Sequence, residues 1–290
     1  MKRIRVKVPG SCGELIQGFY GESEALISYA IDCYSTVTIE PSDHYTLKID
    51  HQNEKAMIAL RKACDYFGVE LDQLNIRINS DIPVGKGMAS STADIVGVLA
   101  AVSAYVGKIP ESSWLGKMAA SIEPTDNTMF KEWVLFDHLN GEVIEQFDHF
   151  ENLNVIVLEM DETIDTKKLR ESGAFSKSTK PNPSRALDVF REAMDTKDLK
   201  RLGDAMVLSA QENQSILFKP YLNELTDLAK NYGMIGINTA HSGTVLGVVF
   251  SSGVDPEAFL LKADELGYLE PYSKRYIHKI ILGGPVIEME

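Results

Sequence analysis

The window Pro83-Val84-Gly85-Lys86-Gly87-Met88-Ala89-Ser90-Ser91-Thr92-Ala93 sets two glycines and three hydroxyl residues at the entrance to a long apolar run. Small residues let a backbone come close to an anion. The unpaired N–H groups of a helix start point at such an anion, and the helix dipole favours its negative charge. Ser90, Ser91 and Thr92 can add hydrogen bonds or a metal ligand, and Lys86 can add a point charge. The same residues also suit an ordinary helix cap by Ser90 or Ser91. No Walker A loop can be read here, since Lys86 follows the first glycine directly, and there is no G-x-S-x-G elbow. The chemistry on offer is phosphate binding.

Three other segments carry reactive groups. Glu123-Pro124-Thr125-Asp126-Asn127 presents carboxylates that can take a proton from a hydroxyl, although Pro-Thr-Asp-Asn is also good turn chemistry. Pro9-Gly10-Ser11-Cys12-Gly13-Glu14-Leu15-Ile16-Gln17-Gly18 offers Glu14, either a partner for an ammonium group or a surface carboxylate. Cys12 lacks the His and Asn/Asp company of a nucleophile and reads as a small buried residue. Thr239-Ala240-His241-Ser242-Gly243-Thr244-Val245-Leu246-Gly247 places His241 and Ser242 among small residues, in reach of a phosphate or a substrate. The remaining histidines show no metal-ligand spacing.

These loops need elements to hold them. Strands are expected over the first eight residues, Ala25–Ile31, Tyr34–Glu40 and Asn75–Asn79, with a loop from Pro9 to Gly21. Helices are expected at Lys55–Phe67, at Ser91–Val106, apolar all round and therefore buried, and near Ser113–Ser121. Strands at Trp133–Asp137, Val143–Phe147 and Asn154–Leu158 close the first half. The Pro- and Gly-bearing stretch Ser172–Ser184 reads as a linker. Helices at Arg185–Met194, Asp198–Asn213, Tyr221–Tyr232 and Pro256–Leu266, with strands around Ile235–Asn238, Val245–Phe250 and Tyr276–Leu282, make up the rest. Elements mix without strict alternation, which favours an α+β fold. The 290 residues suffice for two domains, and a formal charge of −13 argues against nucleic-acid or anionic-membrane partners. Three cysteines without metal spacing, no signal peptide and no apolar run long enough to span a bilayer point to the cytoplasm. Oligomeric state, a homodimer included, is left open.

The window at Pro83–Ala93 resembles the P-x-x-x-G-L-G-S-S-A loop of the GHMP kinases. Met88 stands for the usual Leu, Ala89 for the third Gly and Thr92 for the usual Ala. The loops at Pro9–Gly18 and Thr239–Gly247 resemble the other two glycine-rich loops of the family, in the same order. The resemblance implies a two-domain α+β fold, an N-terminal ribosomal-S5-like domain over 1–160 and a C-terminal ferredoxin-like domain over 161–290. It implies ATP bound by residues Pro83 to Ala93, with Mg²⁺ assisted by Ser91. Asp126 falls on the family's Asp-Asn motif, as base or substrate orienter. Glu123 is the nearest acidic residue to the position of the usual metal-binding Glu, and Ser11 stands where mevalonate kinases carry a Lys. Ser11, Cys12, Gly13, Glu14, Asn127, His241 and Ser242 are expected around the acceptor. The opening P-G-S-C-G-E-L-I-Q-G is similar to the L-threonine kinase branch that serves cobalamin biosynthesis, and lacks the P-A-S-x-x-N-L-G-P-G-F-D-like stretch of homoserine kinases. The expectation is transfer of phosphate from ATP to L-threonine. The alternatives are homoserine or another small alcohol as acceptor, and a regulator that binds without turnover.

Overall fold

The computed structural model describes residues 3–42, 46–49, 54–71, 74–162 and 184–289. The first half runs β1 (Ile4–Tyr20), β2 (Ser23–Pro41), β3 (Thr46–Ile49), α1 (Glu54–Phe67), β4 (Leu74–Ser80), α2 (Ser90–Tyr105) and α3 (Ser112–Ala120). It continues with β5 (Trp133–Asp137), β6 (Glu142–Phe147) and β7 (Leu153–Met160). The second half holds α4 (Ser184–Thr196), α5 (Leu199–Asn213), α6 (Leu222–Asn231), β8 (Gly236–Thr239), β9 (Val245–Ser251), α7 (Glu257–Glu265), β10 (Tyr272–Ile281) and β11 (Val286–Met289). The expected linker from Ser172 falls, up to residue 183, outside the described residues.

The strands join in the order β11-β1-β8-β9-β7-β10-β2-β4-β3, with β5 on β2, β6 on β5 and a further pairing of β1 with β2. The pairing of β3 with β4 is parallel. β7 lies between β9 and β10, so residues on either side of 160 share hydrogen bonds. Its side chains alternate between two cores. Val155 and Val157 face the core of β1, β2, α1 and α2, while Ile156 and Leu158 face that of α6 and α7. Burial on both faces explains why the segment reads as one apolar run rather than an alternating one.

The expected loop from Pro9 to Gly21 is instead the second half of β1. Glycine and proline weaken a strand, but here the register with β2 shifts at Pro9/Gly10, Ser11/Glu14 and Glu14/Ile16. Such bulges absorb those residues and re-aim the side chains around them. β2 likewise runs unbroken through the expected gap at Asp32–Cys33, and β3 and β11 were not expected. α2 is buried from Ile95 to Ala104, as its unbroken apolar composition requires. No helix among the described residues is long and apolar enough to cross a membrane.

α2 starts from a strained residue. Ala89 precedes its first turn with φ 59° and ψ 26°, the left-handed region, and no side chain caps the helix. For a residue with a Cβ this conformation costs ~1–2 kcal/mol, against ~0.5–1 kcal/mol for the entropy lost by glycine. Ala89→Gly is therefore expected to stabilise the fold by roughly 0.5–1 kcal/mol, read as a higher urea midpoint at unchanged m-value.

Candidate active site

Three loops meet at the start of α2. Gly13 N donates to Gly87 O at 3.0 Å and Ser11 N to Met88 O at 3.1 Å, which fastens the bulged part of β1 to the loop before α2. From the other side, Thr244 N and Val245 N both donate to Lys86 O, at 2.9 and 3.1 Å. The approach is backbone to backbone. A Cβ on Gly87 would stand 2.3 Å from the Ala240 Cβ, and one on Gly13 would stand 2.5 Å from Ala240 N. Both glycines also hold positive φ, 82° and 61°.

The first helical bond of α2 runs from Ala93 N to Ala89 O at 2.9 Å. The amides of Ser90, Ser91 and Thr92 thus precede it, and the N-cap, Ala89, makes no side-chain cap bond to them. This disposes of the simple cap by Ser90 or Ser91 and leaves a donor set suited to a phosphate. Thr92 is turned elsewhere. Its hydroxyl accepts from Asp126 N at 3.0 Å and shares a hydrogen bond with Thr125 Oγ1 at 3.0 Å, welding the acceptor segment to the phosphate loop.

Lys86 departs from the point charge expected of it. Its ammonium donates to the carbonyls of Met160, Asp161 and Glu162 at 2.6, 2.9 and 2.8 Å, and lies 3.5 Å from Glu159. With the side chain buried there, it braces the loop against the end of β7 rather than reaching into it. Met88 is likewise buried, while Val84 is exposed. Pro83, Gly85 and Ala93 contribute backbone shape to the same turn.

Ser91 and Glu123 come together, the Ser91 hydroxyl donating to one carboxylate oxygen and the Lys55 ammonium pairing with the other. Among the described residues no group of three or more His, Cys, Asp or Glu side chains forms a metal cage. A hydroxyl and one carboxylate nevertheless fit Mg²⁺, which keeps waters and is held largely by nucleotide phosphates. Ser91→Ala removes a charge-assisted contact of ~1.5–3 kcal/mol and is expected to lower turnover tenfold or more. Wild-type kinetics in that variant would detach Ser91 from the site.

Asp126 accepts from Ser11 Oγ at 2.8 Å and from Asn127 N at 2.6 Å. Withdrawal from water raises its pKa above the ordinary 3.8, opposed by those donors and by His138. Ser11 thus orients the carboxylate without the charge that a Lys would bring. The Asn127 side chain donates to Val134 O at 2.9 Å, which fixes the turn rather than facing an acceptor.

The other expected acceptor residues sit deeper. Glu14 is buried and accepts from His241 N at 2.8 Å. His241 Nε2 lies 3.3 Å from Ser209 Oγ, and Ser242 follows it on the third loop. Cys12 faces inward, its carbonyl accepting from Asn238 Nδ2 at 2.5 Å, and burial pushes its thiol up to about 12. That agrees with a small core residue and removes Cys12 from the acceptor's contacts.

Sequence reasoning passed over Lys55, Lys219, Tyr29 and Asn238. The Tyr29 hydroxyl donates to Asn238 Oδ1 at 2.8 Å. The Lys219 ammonium, buried behind the third loop, donates to Ala240 O and Gly243 O at 3.2 and 2.8 Å.

An open helix start bonded through Thr92 to a partly desolvated carboxylate can serve the transfer of a phosphoryl group to a hydroxyl, which is the work of a small-molecule kinase. Residues 54–130 match the GHMP kinases N terminal domain, and residues 190–269 match the GHMP kinases C terminal. The L-threonine kinase of Salmonella typhimurium is 33% identical over 280 residues, covering 95% of this chain and 93% of that protein. The L-threonine kinase of Citrobacter freundii is also 33% identical, over 284 residues, covering 95% and 96%. The homoserine kinase structure from Cytophaga hutchinsonii superposes with a TM-score of 0.76 at 17% identity, covering 99% of this chain and 97% of that one. The chain belongs to the GHMP kinase family and has its two-domain fold. Members of that family use ATP.

Proposed function

We propose that this chain transfers the γ-phosphoryl group of ATP to the side-chain hydroxyl of L-threonine, giving O-phospho-L-threonine and ADP. The observation that carries the reading is the bond from Asp126 N to Thr92 Oγ1 at 3.0 Å. It ties the acceptor carboxylate to the first turn of the helix whose open amides suit the phosphates. The near-full-length likeness to two L-threonine kinases supplies the acceptor.

ATP would bring the phosphoryl group, and Ser91 and Glu123 would hold Mg²⁺, which would offset its charge. The backbone from Gly85 to Ser91 holds the phosphates. Asp126, oriented by Ser11 and the Asn127 amide, receives the hydroxyl proton as the new O–P bond forms. Glu14 pairs with the substrate ammonium through whatever capacity His241 N leaves it, and His241 or Ser242 holds the carboxylate. Each group taken from water needs such a partner.

The methyl group of threonine then occupies a small apolar niche. Threonine is expected to exceed serine in kcat/KM by roughly 10- to 200-fold, the range of one methylene-sized contact, with homoserine poorer still. The test is ATP consumption with Mg²⁺ across threonine, serine, homoserine, mevalonate and galactose. A preference for homoserine, or for either of the last two, would remove the threonine assignment and leave the kinase class.

A further inference from the structure

Lys219 is only 1% exposed, and no acceptor or phosphate role in the mechanism above uses it. A buried ammonium needs acceptors and an opposing charge. Two acceptors are peptide carbonyls of one short loop, Ala240 O and Gly243 O, at 3.2 and 2.8 Å. The opposing charge is Glu14, which reaches the same loop by accepting from His241 N at 2.8 Å. Three groups of the third loop are therefore gripped from behind by one cation and one anion, each from a different part of the chain.

What the grip controls lies on the loop's other side. A Cβ on Gly243 would stand 2.4 Å from the Gly87 Cα, so the two backbones are in direct contact. Thr244 N and Val245 N hold Lys86 O at 2.9 and 3.1 Å. The phosphate loop thus rests on the third loop, and the third loop rests on Lys219. Two carbonyls turned inward by a tight loop need donors. An ammonium offers three in adjustable directions.

We propose that Lys219 is a positioning residue for nucleotide binding, setting the third loop at the height at which the phosphate loop is held open for ATP. Lys219 touches neither substrate. It acts through Gly243 on Gly87, and through Thr244 and Val245 on Lys86. The proposal rests on the ATP-binding role of Gly85–Ser91 but not on the identity of the acceptor.

The experiment measures ATP affinity in the absence of any acceptor, by calorimetry, beside near-ultraviolet circular dichroism as the check on folding. Lys219→Met keeps the apolar stem and removes every donor. It is expected to fold and to weaken ATP binding tenfold or more, the scale of one lost charge-assisted bond. Lys219→Arg, which keeps charge and donors, is expected to recover a substantial part of the loss. Should Lys219→Met fail to fold because Glu14 is left without a counter-charge, Lys219→Met with Glu14→Gln removes both charges and takes its place, with Glu14→Gln alone as control. The double variant is expected to fold and still bind ATP tenfold more weakly than that control. Folded protein with control-level ATP affinity in either case overturns the proposal. Failure of both to fold also overturns it, since Lys219 would then be a requirement of folding. Failure of threonine as acceptor leaves the result untouched, so the two readings fall separately.

Discussion

Asp126→Asn is expected to lower the rate of phosphoryl transfer by ~10²–10⁴-fold, the usual cost of losing a general base, while ATP still binds. It is also expected to raise the thermal midpoint by roughly 1–4 °C. Both follow from one fact. Withdrawal from water lifts the Asp126 pKa above 3.8 in the folded protein. The native state then binds the proton more tightly than the unfolded chain. The stability this group contributes is present below 3.8 and is lost as pH rises through the higher folded value. At neutral pH the wild type bears that cost and the asparagine variant does not. The gap in midpoint between the two should narrow as the pH falls toward 3.8. The acid limb of the rate should lie above an ordinary aspartate for the same reason. A loss of only a fewfold would mean that the segment orients the hydroxyl without deprotonating it. A variant no more stable than wild type would mean that the carboxylate is better solvated than its surroundings suggest.

The parts of this site that could be read in the sequence are those whose chemistry is local. The Gly85–Ser91 turn and the apolar run behind it announce a phosphate loop because the helix start and the small residues lie within one window. Asp126 is legible for the same reason, next to Asn127 and three residues beyond Glu123. β1 was misread past Val8 because glycine and serine there signal a loop, whereas its bulges against β2 depend on a partner strand. Lys219 had no local signal at all. Its acceptors lie 21 and 24 residues away on a different loop, and its counter-charge is on β1. The Asn238 side chain, which holds Cys12 O across 226 residues, is equally silent. Lys86 is the instructive intermediate. Its position beside two glycines suggested a phosphate contact, yet three carbonyls at the end of β7 claim the ammonium. Which of two plausible partners a long side chain takes is decided by tertiary packing, and a sequence window does not contain that information.

Gly87→Ala is expected to damage the fold severely. The new Cβ would stand 2.3 Å from the Ala240 Cβ and 2.9 Å from the Gly243 Cα, at a residue held at φ +82°. Left-handed strain costs ~1–2 kcal/mol and overpacking a further ~1–3 kcal/mol. The sum, roughly 2–5 kcal/mol, is a large part of the 5–15 kcal/mol that holds an ordinary domain. Urea unfolding should show a stability lowered by that amount, read as a lower midpoint at constant slope. The two contributions can be separated, because the nearest obstacle is itself a single methyl group. Ala240→Gly removes it, leaving the φ strain and the approach to Gly243. In the double variant Gly87→Ala with Ala240→Gly, the steric part should largely return while the strain remains. The double-mutant cycle should therefore show a favourable coupling of ~1–3 kcal/mol. ATP affinity should follow the same cycle, since the steric wedge pushes the third loop off the phosphate loop. Strict additivity in both measurements would mean that the two loops do not rest on one another at Gly87. A large loss of ATP affinity with unchanged urea stability would mean that the wedge opens the junction locally, without strain passing into the cores.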